Sequence, residues 1–108
     1  MELRVYRETI EIIRELAPVV GAIERRDIDL ARQLRRCSAS VALNLAEGQG
    51  ASAGTRTQRF LSALGSARET MACLEVAEAF AYCTPPTALT HRLDRLVAQI
   101  VRLTFGRR

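Results

Sequence analysis

Asn44 and Glu47 stand three residues apart in the stretch SVALNLAEGQG, residues 40–50, an amide and a carboxylate among small apolar side chains just ahead of a glycine-rich run. Residues of these types can do chemistry. Glu47 with Glu69 would make a carboxylate pair of the kind used in general acid–base catalysis. Glu47, Glu69, Glu75 and Glu78 with His91 would suggest a two-metal site inside a helical bundle, but that site calls for Glu-x-x-His motifs, and none occurs. Cys37, Cys73 and Cys83 are odd in number, lack a Cys-x-x-Cys spacing and share the chain with a single histidine. Zinc binding and a disulfide framework both need more than that. EGQGASAGT resembles a phosphate-binding glycine loop only on the surface, because no strand pattern precedes it and no lysine follows. The reading is therefore no enzyme, no metal and no cofactor, with His91 a surface residue near the start of the last helix.

Asn44 and Glu47 read instead as polar pins that fix how helices pack. At helical spacing Gln33, Arg36, Ser40, Asn44 and Glu47 fall on one stripe beside the apolar seam, where side chains are commonly half-buried. A buried carboxylate needs a partner or it turns neutral. Arg59, Arg68 or an arginine of another subunit are the candidates, and Ser66 and Glu69 lie on the same following helix as Arg59 and Arg68. The expected structural network is Arg36, Ser40, Asn44, Glu47, Ser66 and Glu69. Were Glu47 paired and buried, its replacement by alanine should cost about 2–4 kcal/mol.

The second cluster is cationic. The net charge is +4, and every basic side chain is arginine, whose planar fork suits phosphates and carboxylates. Arg92, Arg95 and Arg102 share one side of the last helix with Gln99 between them, and Arg107 and Arg108 follow. Asp94 is the one acid in that quarter. The stripe suits phosphate binding, which would weaken with salt. It equally suits a solvated helix face with cations near a helix C-terminus. No exposed aromatic is read on this helix for base stacking, so sequence-specific reading is not expected.

Four helices must position these residues. At 108 residues the chain fits one domain, and with 5% aromatics and no tryptophan its composition is that of a helical bundle. Helix one, about residues 3–23, carries Val5, Ile12, Leu16, Val19 and Ile23 in phase, with Ile13 and Val20 alongside. Pro18 points away from that stripe, so a kink is expected rather than a break. Helix two, about 28–47, is capped by Asp27 or Asp29 and runs on Leu30, Leu34, Cys37, Val41 and Leu45. A second, small face of Ala39, Ala42 and Ala46 gives it two partners. Gly48 and Gly50 suit its C-terminal cap, and Thr55 the next N-cap. Helix three, about 55–82, uses Phe60, Leu64, Ala67, Met71 and Leu74, with Gly65, Ala72 and Val76 on a second face. Helix four, about 86–105, carries Leu89, Leu93, Leu96, Ile100 and Leu103. Short loops make this an all-α, antiparallel up-down four-helix bundle. A charged start and no long apolar run point to a soluble chain of the reducing cytoplasm, with no membrane partner.

QLRRCSASVALNLAEGQG followed by RFLSALGSARE resembles the four helix bundle protein family, also called 23S rRNA intervening-sequence proteins. The matched positions are Gln33, Arg35, Arg36, Ser40, Asn44, Ala46, Glu47 and Gly48, then Phe60, Leu61, Gly65, Ser66 and Glu69. Ala42 stands where that family often has proline, Met71 where it often has a second acid, and Pro18 is unusual. The resemblance implies an antiparallel bundle forming a homopentamer and implies no reaction. A relative is the basic accessory protein of diversity-generating retroelements, which works with a reverse transcriptase and nucleic acid. The functional expectation is thus a non-enzymatic basic oligomer that binds RNA, a ribonucleoprotein or DNA through arginines. The alternative is an assembly or adaptor protein with a protein partner and no nucleic acid.

Overall fold

The computed structural model describes residues 3–106, with helices α1 (Arg4–Glu24), α2 (Ile28–Gln49), α3 (Ala53–Ala79) and α4 (Thr87–Phe105). Each helix packs on its neighbour in sequence, and α4 returns to α1, closing an antiparallel square about 42 Å long and 20–22 Å wide. Among the described residues no helix is long and apolar enough to cross a membrane.

The helical period decides what goes inside. Ile12, Leu16 and Ile23 of α1, Leu34 and Leu45 of α2, and Leu89, Leu93, Leu96 and Ile100 of α4 are at most 2% exposed. Each such side chain contributes roughly 1.5–3 kcal/mol on burial. Leu30, Met71 and Leu103, expected on the seams, pack at the edge of this core and stay half-buried. Among the described residues three polar side chains are buried, and each is satisfied within its own helix. Thr9 Oγ1 donates to the Val5 carbonyl at 2.8 Å, Ser38 Oγ to Leu34 at 2.8 Å, and Thr70 Oγ1 to Ser66 at 2.9 Å. A hydroxyl bonded one turn back carries no unmet group into the core.

Helix interruptions and ends follow the sequence reading at Pro18 and Asp27 and depart from it around α3. Pro18 lies inside α1 on an exposed position, and the helix runs on through it. The backbone bond that proline cannot donate belongs to the wet side, where water can serve the freed Arg14 carbonyl. Asp27 caps α2, its Oδ1 accepting the Leu30 N–H at 2.9 Å. Thr55 does not cap α3; Ser52 holds that position through its backbone, and the helix starts two residues earlier than expected. The far end of α3 stops at Ala79, three residues early. Ala81 takes the left-handed conformation (φ 62°), the Tyr82 N–H reaches the Ala77 carbonyl at 2.9 Å, and the Ala81 N–H reaches Glu78 at 2.9 Å. This is the Schellman arrangement, made here with alanine in the place glycine usually takes.

Gly48 also changes role. It does not end α2, which continues to Gln49, and it is buried. A Cβ there would lie 2.6 Å from Phe60 Cε1, 2.8 Å from Phe60 Cδ1 and 3.2 Å from Arg59 Cβ. The missing side chain is what lets α3 lay its phenyl ring against the α2 backbone. Ala63, Ala67 and Ala77, all fully buried, continue the small-residue contact along α3.

Candidate nucleic-acid interface

The polar stripe of α2 meets α3. Ser66 Oγ donates to Ser40 Oγ at 2.9 Å, and Asn44 Nδ2 donates to Ser40 Oγ at 3.0 Å and to the Ser40 carbonyl at 2.9 Å. Gln33 Nε2 donates to Glu69 Oε2 at 2.8 Å. Arg59 pairs with Glu47 at 3.0 Å and reaches Asn44 Oδ1 only at 3.4 Å. Arg36 lines a recess with Ser40, Ser66 and Glu69 and has no ion pair among the described residues. The half-buried Ser40, Asn44 and Ser66 are thus joined by hydrogen bonds across α2 and α3. Glu47 is a correction: its side chain is 59% exposed and Arg59's 47%, so the pair is screened by water. Glu47→Ala should therefore cost less than about 1 kcal/mol, not the larger loss a buried pair would give.

No cluster of three His, Cys, Asp or Glu side chains able to hold a metal occurs among the described residues. Reading the sequence as free of a G-x-S-x-G motif is wrong: Gly50, Ser52 and Gly54 fit that nucleophile-elbow pattern. That device places its serine between a strand and a helix. Here Ser52 sits exposed between two helices, at the end of the bundle opposite His91.

The arginine stripe of α4 does not stay together. Arg92 turns to α1, where it bonds Glu11 at 3.0 Å, Glu8 at 3.1 Å and also Glu15. Its side chain is only 19% exposed, and the hydrogen bonds to Glu11 and Glu8 raise its pKa further above its ordinary value. Arg92 thus clamps α1 to α4. Removing it leaves three carboxylates facing one another. Arg92→Leu is expected to lower the unfolding free energy by about 1–2 kcal/mol, read from urea midpoints at unchanged slope, with the deficit shrinking as salt rises. Arg95 and Arg102 are exposed and have no partner among the described residues. Arg107 and Arg108 lie outside the described residues.

A different grouping of charge emerges from the topology. The start of α1, the end of α2, the start of α3 and the end of α4 meet at one end of the bundle, tied by the Leu3 N–H to Gln49 Oε1 at 2.9 Å. Among the described residues this end carries Arg4, Arg7, Arg56, Arg59 and Arg102, with the acids Glu8 and Glu47 beside them. The opposite end mixes Arg25, Arg26 and Arg32 with Glu24, Asp27, Asp29 and Glu78. The net positive charge is therefore polarised along the long axis. At the basic end an open recess of about 450 Å³ runs between α1 and α4, lined by Leu3, Arg4, Val5, Gln99, Arg102 and Leu103. Phe105, 60% exposed, ends the same helix. This corrects the expectation that α4 offers no exposed aromatic. Charge read along one helix does not reach Arg4 or Phe105; the antiparallel pairing of α1 with α4 is the signal that joins them to Arg102.

Two further faces are left uncovered. Ala39, Leu43 and Ala46 are exposed on α2, while Ala42 is buried. Leu61, Gly65, Ala72 and Val76 are exposed on α3, and a Cβ at Gly65 would meet nothing. The second apolar faces read from the sequence thus serve no contact inside this bundle, Ala42 apart.

Comparison with known proteins agrees with the architecture. The sequence model of the family described as 23S rRNA-intervening sequence protein matches residues 1–104. No curated protein matches significantly. A crystal structure of a protein of unknown function from the S23 ribosomal protein family of Bacteroides thetaiotaomicron VPI-5482 superposes with a TM-score of 0.75, covering 94% of this chain and 95% of that one at 19% identity. At that identity the likeness speaks for the fold alone.

Proposed function

The chain belongs to the 23S rRNA-intervening sequence protein family, and from that premise we propose that it is a non-enzymatic, self-associating basic bundle that binds nucleic acid, RNA above all, through its arginine-rich end. The observation that carries this reading is the polarised charge: Arg4, Arg56 and Arg102 stand at one end, while the acids concentrate elsewhere. Phosphate contacts supply salt-dependent affinity that needs no base reading. The uncovered small-residue faces of α2 and α3 support close packing with further copies, a pentamer by family resemblance, which would repeat the basic end several times over. The cytoplasm suits its three free thiols.

The test is binding of fluorescent RNA and DNA across a salt series, with the mass in solution measured in the same buffer. Micromolar or tighter binding that falls steeply with salt is expected, together with a loss of roughly tenfold or more for Arg56→Glu/Arg102→Glu. Arg25→Glu/Arg26→Glu at the opposite end should change little. An intact oligomer that binds nothing at low salt would overturn the proposal. The exposed α2 and α3 faces then favour the second reading, an adaptor that assembles with a protein partner.

A further inference from the structure

We infer that the recess between the start of α1 and the end of α4 takes one unpaired nucleotide of a single strand, so that the protein prefers single-stranded to duplex nucleic acid. The inference rests on the nucleic-acid reading and specifies its ligand. Three features converge on the recess. Arg4 and Arg102 flank it, exposed and with no partner among the described residues, so both guanidinium forks are open to a phosphodiester. Leu3, Val5 and Leu103 give it an apolar floor, a surface that a flat base covers and a bare phosphate does not. Gln99 also lines the recess, and its Oε1 is tucked out of solvent with no hydrogen-bond partner.

That orphaned acceptor narrows the ligand chemistry. A buried amide oxygen left without a donor costs stability, and turning that amide out into the recess to meet a ligand's N–H would recover that loss. Base edges carry such donors when unpaired. A fatty acid has an anion and an apolar body but no N–H, and would leave Gln99 as it is. A duplex presents phosphates to Arg4 and Arg102 while its base edges are engaged in pairing, so it gains the charge contacts alone. Phe105, one turn past Arg102 and exposed, offers a ring at the same helix end on which a neighbouring base can stack.

The experiment compares a short fluorescein-labelled single strand with the duplex of the same sequence, and the four homopolymer strands with one another. Wild type, Gln99→Leu and Arg4→Gln/Arg102→Gln are each checked for thermal unfolding. Gln99→Leu removes the orphaned acceptor and should melt no lower than wild type. The expected result is tighter binding of the single strand by roughly tenfold. In Gln99→Leu that preference and the spread among homopolymers should collapse while salt-dependent binding persists. In Arg4→Gln/Arg102→Gln both strand forms should weaken. Equal affinity for single strand and duplex, or a Gln99→Leu protein that discriminates as wild type does, overturns the inference and leaves the basic-end reading standing. Absence of any binding by wild type overturns both.

Discussion

Replacing Gly48 with valine is expected to lower the unfolding free energy by about 3 kcal/mol, the range for forcing extra atoms into a packed contact. The Cβ alone would stand 2.6 Å from Phe60 Cε1, well inside carbon–carbon contact. Phe60 is 2% exposed and has core on its other side, so the ring cannot swing out without moving α3. Gly48→Ala is the milder probe. It gains up to about 1 kcal/mol of helix propensity and loses more than that to the same clash, so it should still destabilise. The coupling identifies the cause. Shortening the ring by Phe60→Leu should itself destabilise the wild type, yet destabilise the Gly48→Ala background less. A double-mutant cycle in urea should return a coupling of about 1 kcal/mol or more. Additive losses would mean that Gly48 acts through its own backbone, as a helix terminator would, and not through the approach of α3.

That prediction marks where sequence reading succeeded and where it stopped. The bundle was legible because one signal, apolar residues every three or four positions, recurs four times. Ile12, Leu16 and Ile23 of α1 and Leu89, Leu93, Leu96 and Ile100 of α4 were all read from spacing and all lie in the core. What spacing does not carry is the distance between helices. Gly48 in a glycine-rich run has the local look of a helix terminator. Only Phe60, twelve residues on and across a turn, makes it an approach site. The stop of α3 was illegible for the opposite reason: Ala81 takes a left-handed conformation that alanine does not advertise.

The site shows the same division. Ser40, Asn44 and Ser66 could be placed on facing stripes, and they hydrogen-bond. Glu47 lies on the same stripe, one turn nearer the end of α2, and that single turn takes it out to solvent. Arg92 was assigned to a phosphate-facing row from its own helix alone. Its fate was set by Glu8, Glu11 and Glu15, more than seventy residues away, which run three and four apart along α1. The partners of this tri-carboxylate contact are already held in place by α1, so making it orders little that the fold has not ordered already. Arg102 escapes it because α1 offers Arg4 rather than an acid at that level.

The second large effect expected is a loss of stability at alkaline pH centred on the α2–α3 contact. Cys73 is 4% exposed, and its pKa is pushed up from its ordinary 9.0 to about 12. Burial is the main cause; Cys37, as a neighbouring charge and hydrogen-bond partner, and then Glu69 add to it. The sign follows from linkage. The unfolded thiol ionises near pH 9, while the folded one holds its proton to about 12. Between those values the unfolded state has shed a proton that the folded state keeps, so rising pH favours unfolding. The contribution is fully present below pH 9 and is lost between about 9 and 12, at up to roughly 1.4 kcal/mol per pH unit. Tyr82 and Cys83 are also raised, each chiefly by burial, and add slope of the same sign. The measurement is therefore a difference: urea unfolding of wild type and Cys73→Ala from pH 7 to pH 11 under reducing conditions. Cys73→Ala should be the less stable protein at pH 7, by about 1 kcal/mol for the small cavity. That deficit should close and then reverse above pH 10. Parallel curves for the two proteins would mean that Cys73 ionises in the folded bundle as easily as in the open chain, which would require water to reach the contact between α2 and α3.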